Sequence, residues 1–324
     1  MKRLCSHVAL AGLLLALPTA LHLGRWSHYP IGIDAVSAVT PGYVAVVGIG
    51  TTSGPGAPAS PTIEDLVRGA FYLSGGLHRA IDPSARQVLV RPGHTPMKAG
   101  ALAQHLEVVR AIVLLLHDIA PEAQISLLVG GVPGSGVTAP EGLIAGLQAL
   151  IATESFTSMG VHLLALEQEE VETIEVPDGG EVADLYPMPI SLLECDAVIN
   201  VARYQDGLSG LKNLRGLVAP PAGDVDEDHA GRLVDLALLV EVKYTVLDLL
   251  GDEHPLHPLI LASDDGIAVD RLAGALAGIF PAPEALQRAG SRQLGMSTLR
   301  GIKATGLDAP GTWRPEPESE PQEE

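Results

Sequence analysis

Short apolar runs rich in β-branched residues alternate along the chain with longer apolar or amphipathic stretches. The short runs are closed by Gly, Pro, Asn or charged residues, a pattern typical of buried strands. The predicted strands cover residues 43–50, 86–92, 124–131, 196–202, 244–251, 256–265 and 299–304. The predicted helices cover residues 62–73, 102–119, 229–242 and 267–280, and a short helix follows Pro281.

This alternation predicts an α/β fold, with a doubly wound, mostly parallel sheet. Residues 161–167 and 171–177 break the pattern, because two short strands follow each other across acidic residues. They predict a small β insertion, either a hairpin or another inserted β element.

The composition fits one large folded unit and excludes some partners. The chain has 324 residues, of which 47% are hydrophobic and 18% charged, enough to bury a substantial core. Twenty basic against 39 acidic residues give a formal charge of -19, which repels phosphate backbones and anionic membrane surfaces. We therefore expect no nucleic-acid partner.

The two ends of the chain differ from the middle. Lys2 and Arg3, followed by an apolar run over residues 8–17, predict that residues 1–24 are a signal peptide or a membrane anchor. A buried N-terminal helix is the alternative. A signal peptide implies export and an anchor implies attachment to the cytoplasmic membrane. Both place the α/β domain of residues 40–306 outside the cytoplasm. Residues 309–324 are rich in Pro and Glu and predict a disordered acidic tail.

Cysteine usage limits the cofactors. The chain has two cysteines, Cys5 and Cys195, and no CxxC motif, so we expect neither a zinc ribbon nor a cysteine-ligated iron–sulfur cluster. Other cofactors and metals stay open.

Polar residues follow several of the predicted strands. In doubly wound sheets, ligands bind beyond the carboxyl ends of the strands, so we expect these residues to meet in one cleft. Cationic and amide side chains there favour a small anionic ligand. The candidate ligand-binding residues are Arg91, His94, Gly131, Asn200, Arg203, Lys212 and Asn213. Asp248 and Asp265 are the candidate catalytic acids, bases or metal ligands, although both could instead cap turns or helices.

The glycine-rich stretch over residues 131–138 has the spacing of a phosphate-binding P-loop. Val137 stands where that loop needs its lysine, so a nucleoside triphosphatase is excluded. Thr138 and Glu141 predict a capping box at the start of a helix. The glycines then bind an anion at that helix N-terminus, or only serve a tight turn.

Several short motifs follow one another between residues 43 and 306. They are Gly75 and Gly76; Arg91, Pro92 and Gly93; Val-Gly-Gly-Val-Pro-Gly over residues 129–134; Asp196, Ile199 and Asn200; Lys212, Asn213, Leu214 and Gly216; His229; Asp248; and Ser263, Asp265, Ala268 and Asp270. The order of these motifs resembles that of the family called domain of unknown function 362.

The chain departs from that family where polar ligands are expected. Arg91-Pro92-Gly93 stands in place of Lys-Pro-Asn, the loop from Arg203 to Gly207 lacks a lysine and a histidine, and Gly266 replaces a proline. The ferredoxin module of some relatives is absent, so their redox role does not carry over. Two functions stay open: an exported enzyme acting on a small anionic or polyol-like substrate, and a non-catalytic binding or assembly protein derived from an enzyme fold.

Overall fold

The structure is a computed structural model that describes residues 42–48, 61–220, 228–250 and 258–306, all within one compact unit. The N-terminal segment 1–24 and the tail 309–324 lie outside the described residues. The strands are β1 (Gly42–Gly48), β2 (Gln87–Pro92), β3 (Gln124–Val129), β4 (His162–Ala165), β5 (Val171–Glu175), β6 (Leu185–Pro189), β7 (Ala197–Arg203), β8 (Val242–Leu249), β9 (Leu259–Ser263) and β10 (Ile302–Thr305).

Eight of these strands form one mixed sheet in the order β10-β1-β9-β8-β7-β2-β3-β4, and β5 pairs with β6 in a separate two-stranded sheet. The run β8-β7-β2-β3-β4 is parallel throughout. This confirms the predicted α/β class with a mostly parallel sheet. Because β3, β2, β7 and β8 are parallel neighbours, their carboxyl ends lie side by side. We call this edge of the sheet the carboxyl edge.

Helices cover both faces of the sheet. They are α1 (Ile63–Leu73), α2 (Ala99–Ile119), α3 (Glu141–Ile151), α4 (Glu154–Ser158), α5 (Ile190–Glu194), α6 (Ser209–Asn213), α7 (His229–Leu239), α8 (Gly266–Leu276) and α9 (Glu284–Ser291). One buried cluster joins α1, α2 and α3 to one face of the sheet, and two clusters join α6 to α9 to the other. The fold is therefore doubly wound.

Among the described helices, α2 is the only one with the length and composition of a membrane span. Its residues Val108, Ile112 and Leu116 are fully buried in the core cluster that also holds strand residues. This packing explains its apolar character, because a helix enclosed on most sides has few polar positions.

Strand β9 runs against its neighbours. It is antiparallel to both β8 and β1, and Ser263 at its end lies opposite Thr245 near the start of β8. The end of β9 is therefore at the amino edge of the sheet, away from the carboxyl edge.

The predicted small β insertion is confirmed as the two-stranded antiparallel sheet of β5 and β6. The first of its two predicted strands is not part of it, because β4 joins the main sheet beside β3. The prediction of a capping box at Thr138 and Glu141 is wrong, since Pro140 occupies the N-cap of α3 without a side-chain hydrogen bond. At α1, in contrast, Thr62 and Asp65 make a full capping box at the predicted helix start.

Candidate functional site

Arg91, at the end of β2, lies beneath the loops of the carboxyl edge. Its side chain is fully buried. Nη1 donates to the carbonyl of Gly130 at 2.7 Å, Nη2 to that of Arg215 at 3.1 Å, and Nε to that of Asn213 at a long 3.4 Å. Burial lowers its pKa to about 10, against the attraction of Glu167. The guanidinium therefore holds backbone together, in place of the predicted contact with a ligand.

The two candidate asparagines bond to each other. Asn213 Nδ2 donates to Asn200 Oδ1 at 2.8 Å, and Asn200 Nδ2 donates to the Gly210 carbonyl at 3.0 Å. Asn213 Oδ1 accepts from the ring Nδ1 of His94 at 2.9 Å. Burial, followed by repulsion from Arg91, lowers the pKa of His94 to about 4. These predicted residues do come together, but as a buried network that fixes the loops.

A second network joins β8, β7 and α2. Asp248 is fully buried, and its Oδ1 accepts from the Leu250 amide at 2.8 Å. Its Oδ2 contacts His105 Nδ1 at 3.0 Å and Arg203 Nη1 at 3.4 Å. Arg203 Nη1 also donates to the Leu250 carbonyl at 2.9 Å. The predicted Asp248 and Arg203 are thus direct partners.

His105 is a residue of this network that is not among the sequence-predicted site residues. Its only signal was a single imidazole on the apolar face of α2, four residues after Ala101 and three before Val108. A histidine in such a position needs partners for both ring nitrogens, which is a reason to look for a buried network.

A cleft opens above this second network. It has a volume of about 230 Å³ and is bordered by the segment after β2 on one side and by the ends of β7 and β8 on the other. Its lining residues are Thr95, Pro96, Met97, Arg203, Tyr204, Gln205, Asp248 and Leu249. Only Arg203 and Asp248 among the predicted site residues line it.

Lys212 lies nearby on α6 but forms an ion pair with Asp206. The helix is fixed from below by Asp270 of α8, whose carboxylate accepts from the amides of Gly210 at 2.7 Å and Leu211 at 2.8 Å. Burial raises the pKa of Asp270 to about 7. The predicted loop from Arg203 to Lys212 is therefore an ordered turn, anchored to the body of the protein.

Gly131 serves close packing between loops. A Cβ placed on it would lie 3.0 Å from the Cα of Gly216, and the amide of Val132 donates to the Gly216 carbonyl at 2.9 Å. This supports the tight-turn alternative for the glycine-rich stretch.

Asp265 does not join the cleft, which corrects the expectation that all the candidates converge. Because β9 is antiparallel, Asp265 follows it at the amino edge, where its carboxylate accepts from the amides of Ala268 and Met296 at 2.9 and 2.8 Å. It is the N-cap of α8. Within the described ranges, no group of three or more His, Cys, Asp or Glu side chains is placed to hold a metal ion.

Comparison with known proteins gives a distant similarity of fold. No protein-family model matches the sequence, and no curated protein matches it. A solved structure that is similar is that of the lactate racemase apoprotein from Thermoanaerobacterium thermosaccharolyticum, with 11% sequence identity and a TM-score of 0.44. The similar region covers 71% of this chain and 61% of that one, so less than two thirds of the racemase chain has a counterpart here.

Proposed function

We propose that this protein binds a small carboxylate or phosphate in the cleft beside Arg203, without catalysing a reaction on it. One observation carries the proposal. Arg203 lines the cleft, its Nη1 is fixed by Asp248 and the Leu250 carbonyl, and its Nε and Nη2 have no hydrogen-bond partner among the described residues. A guanidinium presents its donors as a planar fork, which matches the oxygens of a carboxylate or phosphate.

The size and charge of the surroundings favour a small ligand. A volume of 230 Å³ is below that of typical drug-sized sites, which hold roughly 300 to 1,000 Å³. The formal charge of -19 repels polyanions at long range, whereas a fixed cation inside a cleft acts at short range. A ligand of a few carbon atoms with one anionic group fits both conditions.

The bonding of the acidic candidates favours binding over catalysis. A general base needs a free lone pair within reach of its substrate. Asp248 already accepts three hydrogen bonds, from Leu250, His105 and Arg203, which leave at most one of its roughly four lone-pair positions. Asp265 lies at the other edge of the sheet. This favours the non-catalytic alternative, in which an enzyme-like α/β fold is kept but the candidate catalytic carboxylates are hydrogen-bonded within the protein.

The motifs that resemble domain of unknown function 362 support the same location, because Arg91, Asn213 and Asp248 belong to them and surround the carboxyl edge. The segment 1–24 supports a place outside the cytoplasm, by export or by anchoring. The protein then captures its ligand on the outer side of the membrane.

A thermal-shift and calorimetric titration with acetate, malonate and inorganic phosphate tests the proposal. We expect at least one of them to raise the melting temperature saturably, because a ligand at one hundred times its Kd stabilises the folded state by about 2.7 kcal/mol. Arg203→Ala should abolish the shift. Thr95→Trp should abolish it as well, since the indole fills the cleft while the Arg203–Asp248 pair stays intact.

The matched control is Arg300→Ala, because Arg300 is exposed and precedes β10 at the amino edge. This variant should bind like the natural protein. Binding that survives both Arg203→Ala and Thr95→Trp would place the ligand elsewhere and refute the proposal, as would failure of all three probes to bind.

A further inference from the structure

His105 is a buried polar side chain for which the binding proposal gives no role. It lies on α2, its side chain is fully buried, and its neighbours on that helix face are apolar. Burying an imidazole among apolar side chains is costly unless both nitrogens are hydrogen-bonded. Both are bonded here, and the two partners belong to opposite walls of the cleft.

The two partners determine the state of the ring. The Gly93 amide lies 3.0 Å from Nε2, and an amide N–H can only donate, so Nε2 accepts. The ring proton is therefore on Nδ1, from which it is donated to Asp248 Oδ2 at 3.0 Å. A neutral imidazole with this tautomer is the form that satisfies both partners.

The contact with Gly93 fixes the first wall of the cleft. Gly93 follows β2 and is two residues before Thr95, which lines the cleft together with Pro96 and Met97. A Cβ on Gly93 would lie 3.2 Å from the Arg203 amide nitrogen and 3.3 Å from His105 Nε2. The glycine thus lets this segment approach both Arg203 and His105 closely.

The contact with Asp248 fixes the second wall. Asp248 orients Arg203 through Oδ2, and the Leu250 carbonyl holds the same Nη1. His105 therefore connects the Thr95 wall, through Gly93, with the carboxylate that orients the ligand-binding guanidinium.

We infer that His105 is the positioning residue of this cleft: it sets the separation of the two walls and the orientation of Arg203, and so determines affinity without touching the ligand. The inference about affinity rests on the function proposed above. The inference about wall separation does not, because it concerns contacts within the ligand-free protein.

The experiment compares His105→Gln with His105→Leu in the full chain. The Gln side chain has a carbonyl oxygen to accept from Gly93 and an amide to donate to Asp248, whereas Leu has the volume without either group. Amide hydrogen exchange at Gly93 should accelerate by about tenfold in the Leu variant, the effect of one lost buried hydrogen bond, and should return towards the natural rate in the Gln variant. Acetate and inorganic phosphate should bind more weakly to the Leu variant by a similar factor, with rescue by Gln.

Two further measurements keep the two proposals distinguishable. A long-range nitrogen–proton spectrum of the natural protein should show the His105 proton on Nδ1. If acetate, malonate and inorganic phosphate all fail to bind the natural protein, the proposed function fails, while the exchange rates and the tautomer still decide the role of His105. A proton on Nε2, or unchanged Gly93 exchange in His105→Leu, would overturn the inference. If His105→Leu does not fold, His105→Asn takes its place, because it carries the same groups on a side chain too short to reach both partners.

Discussion

The environment of His94 disfavours protonation of the imidazole ring. His94 is half-buried and lies near Arg91 and Arg215, and burial and these two cations lower its pKa to about 4, although its bond to Asn213 acts the other way. In the unfolded chain the pKa is about 6.5. The unfolded state therefore binds more protons between these two values, and His94 makes the fold more stable as the pH rises through that window.

His94→Gln should remove this dependence while keeping a donor for Asn213. The free energy of unfolding of the natural protein, minus that of the variant, should increase between about pH 4 and pH 6.5, by up to about 3 kcal/mol, and stay constant above it. Urea unfolding at a series of pH values measures the difference.

Asp270 has a raised pKa of about 7 and acts in the opposite direction over the whole of this window, but it is present in both proteins and its contribution cancels. A difference that is flat with pH would show that His94 is as easily protonated in the fold as in the unfolded chain.

At the scale of elements, Arg91 of β2 joins two segments that are far apart in the chain. Its donors reach the carbonyls of Gly130 after β3 and of Asn213 and Arg215 at the end of α6. A lysine has one ammonium on a flexible stem and cannot reach all of them. Buried carbonyls that lose a donor cost about 1 to 3 kcal/mol each.

Arg91→Lys should therefore lower the free energy of unfolding by about 2 to 4 kcal/mol. Arg300→Lys on the surface should change it by less than about 0.5 kcal/mol. Chemical denaturation with two-state analysis makes the comparison. A loss as small as that of the control would mean that water replaces the guanidinium and that Arg91 faces an open site, as the sequence suggested.

Most strands and helices of the core could be predicted, because they depend on local apolar periodicity. Strand β3 and helix α1 begin at the predicted residue or within one residue of it. The direction of β9 could not be predicted, since an apolar run such as residues 259–263 is the same in a parallel and an antiparallel strand. Because β9 is antiparallel, Asp265 lies at the amino edge and not in the cleft. The partner of β5 also depended on a distant segment, β6, which contains Pro187 and Pro189 and therefore has a weak strand pattern.

In the candidate site, too, the local sequence does not determine which groups are in contact. The sequence indicates that Arg91, Asn213 and Lys212 are polar and near strand ends, but the partner of each depends on three-dimensional packing. Asp206, which pairs with Lys212, is only six residues away in the sequence. The carbonyls that accept from Arg91 are 39 to 124 residues away and carry no sequence signal.

At the scale of the whole molecule, the described residues form three clusters of buried apolar side chains. The three clusters of buried apolar residues are built from side chains between Val44 and Ile302. Residues 1–24 carry the basic start and the apolar run of a signal or anchor. Folding and targeting are therefore expected to be separable.

Deletion of residues 1–40 should leave the melting temperature of the domain within about 2 °C, since a change below about 0.5 kcal/mol shifts it by no more than that in a domain of this size. Cell fractionation of the full chain should place the protein in the membrane or outside the cytoplasm, and the deleted form in the cytoplasm. An intact full-length chain found wholly in the cytoplasm would contradict the targeting role. A deleted form that unfolds at a much lower temperature would instead assign residues 1–40 to the core, as the alternative of a buried N-terminal helix predicts.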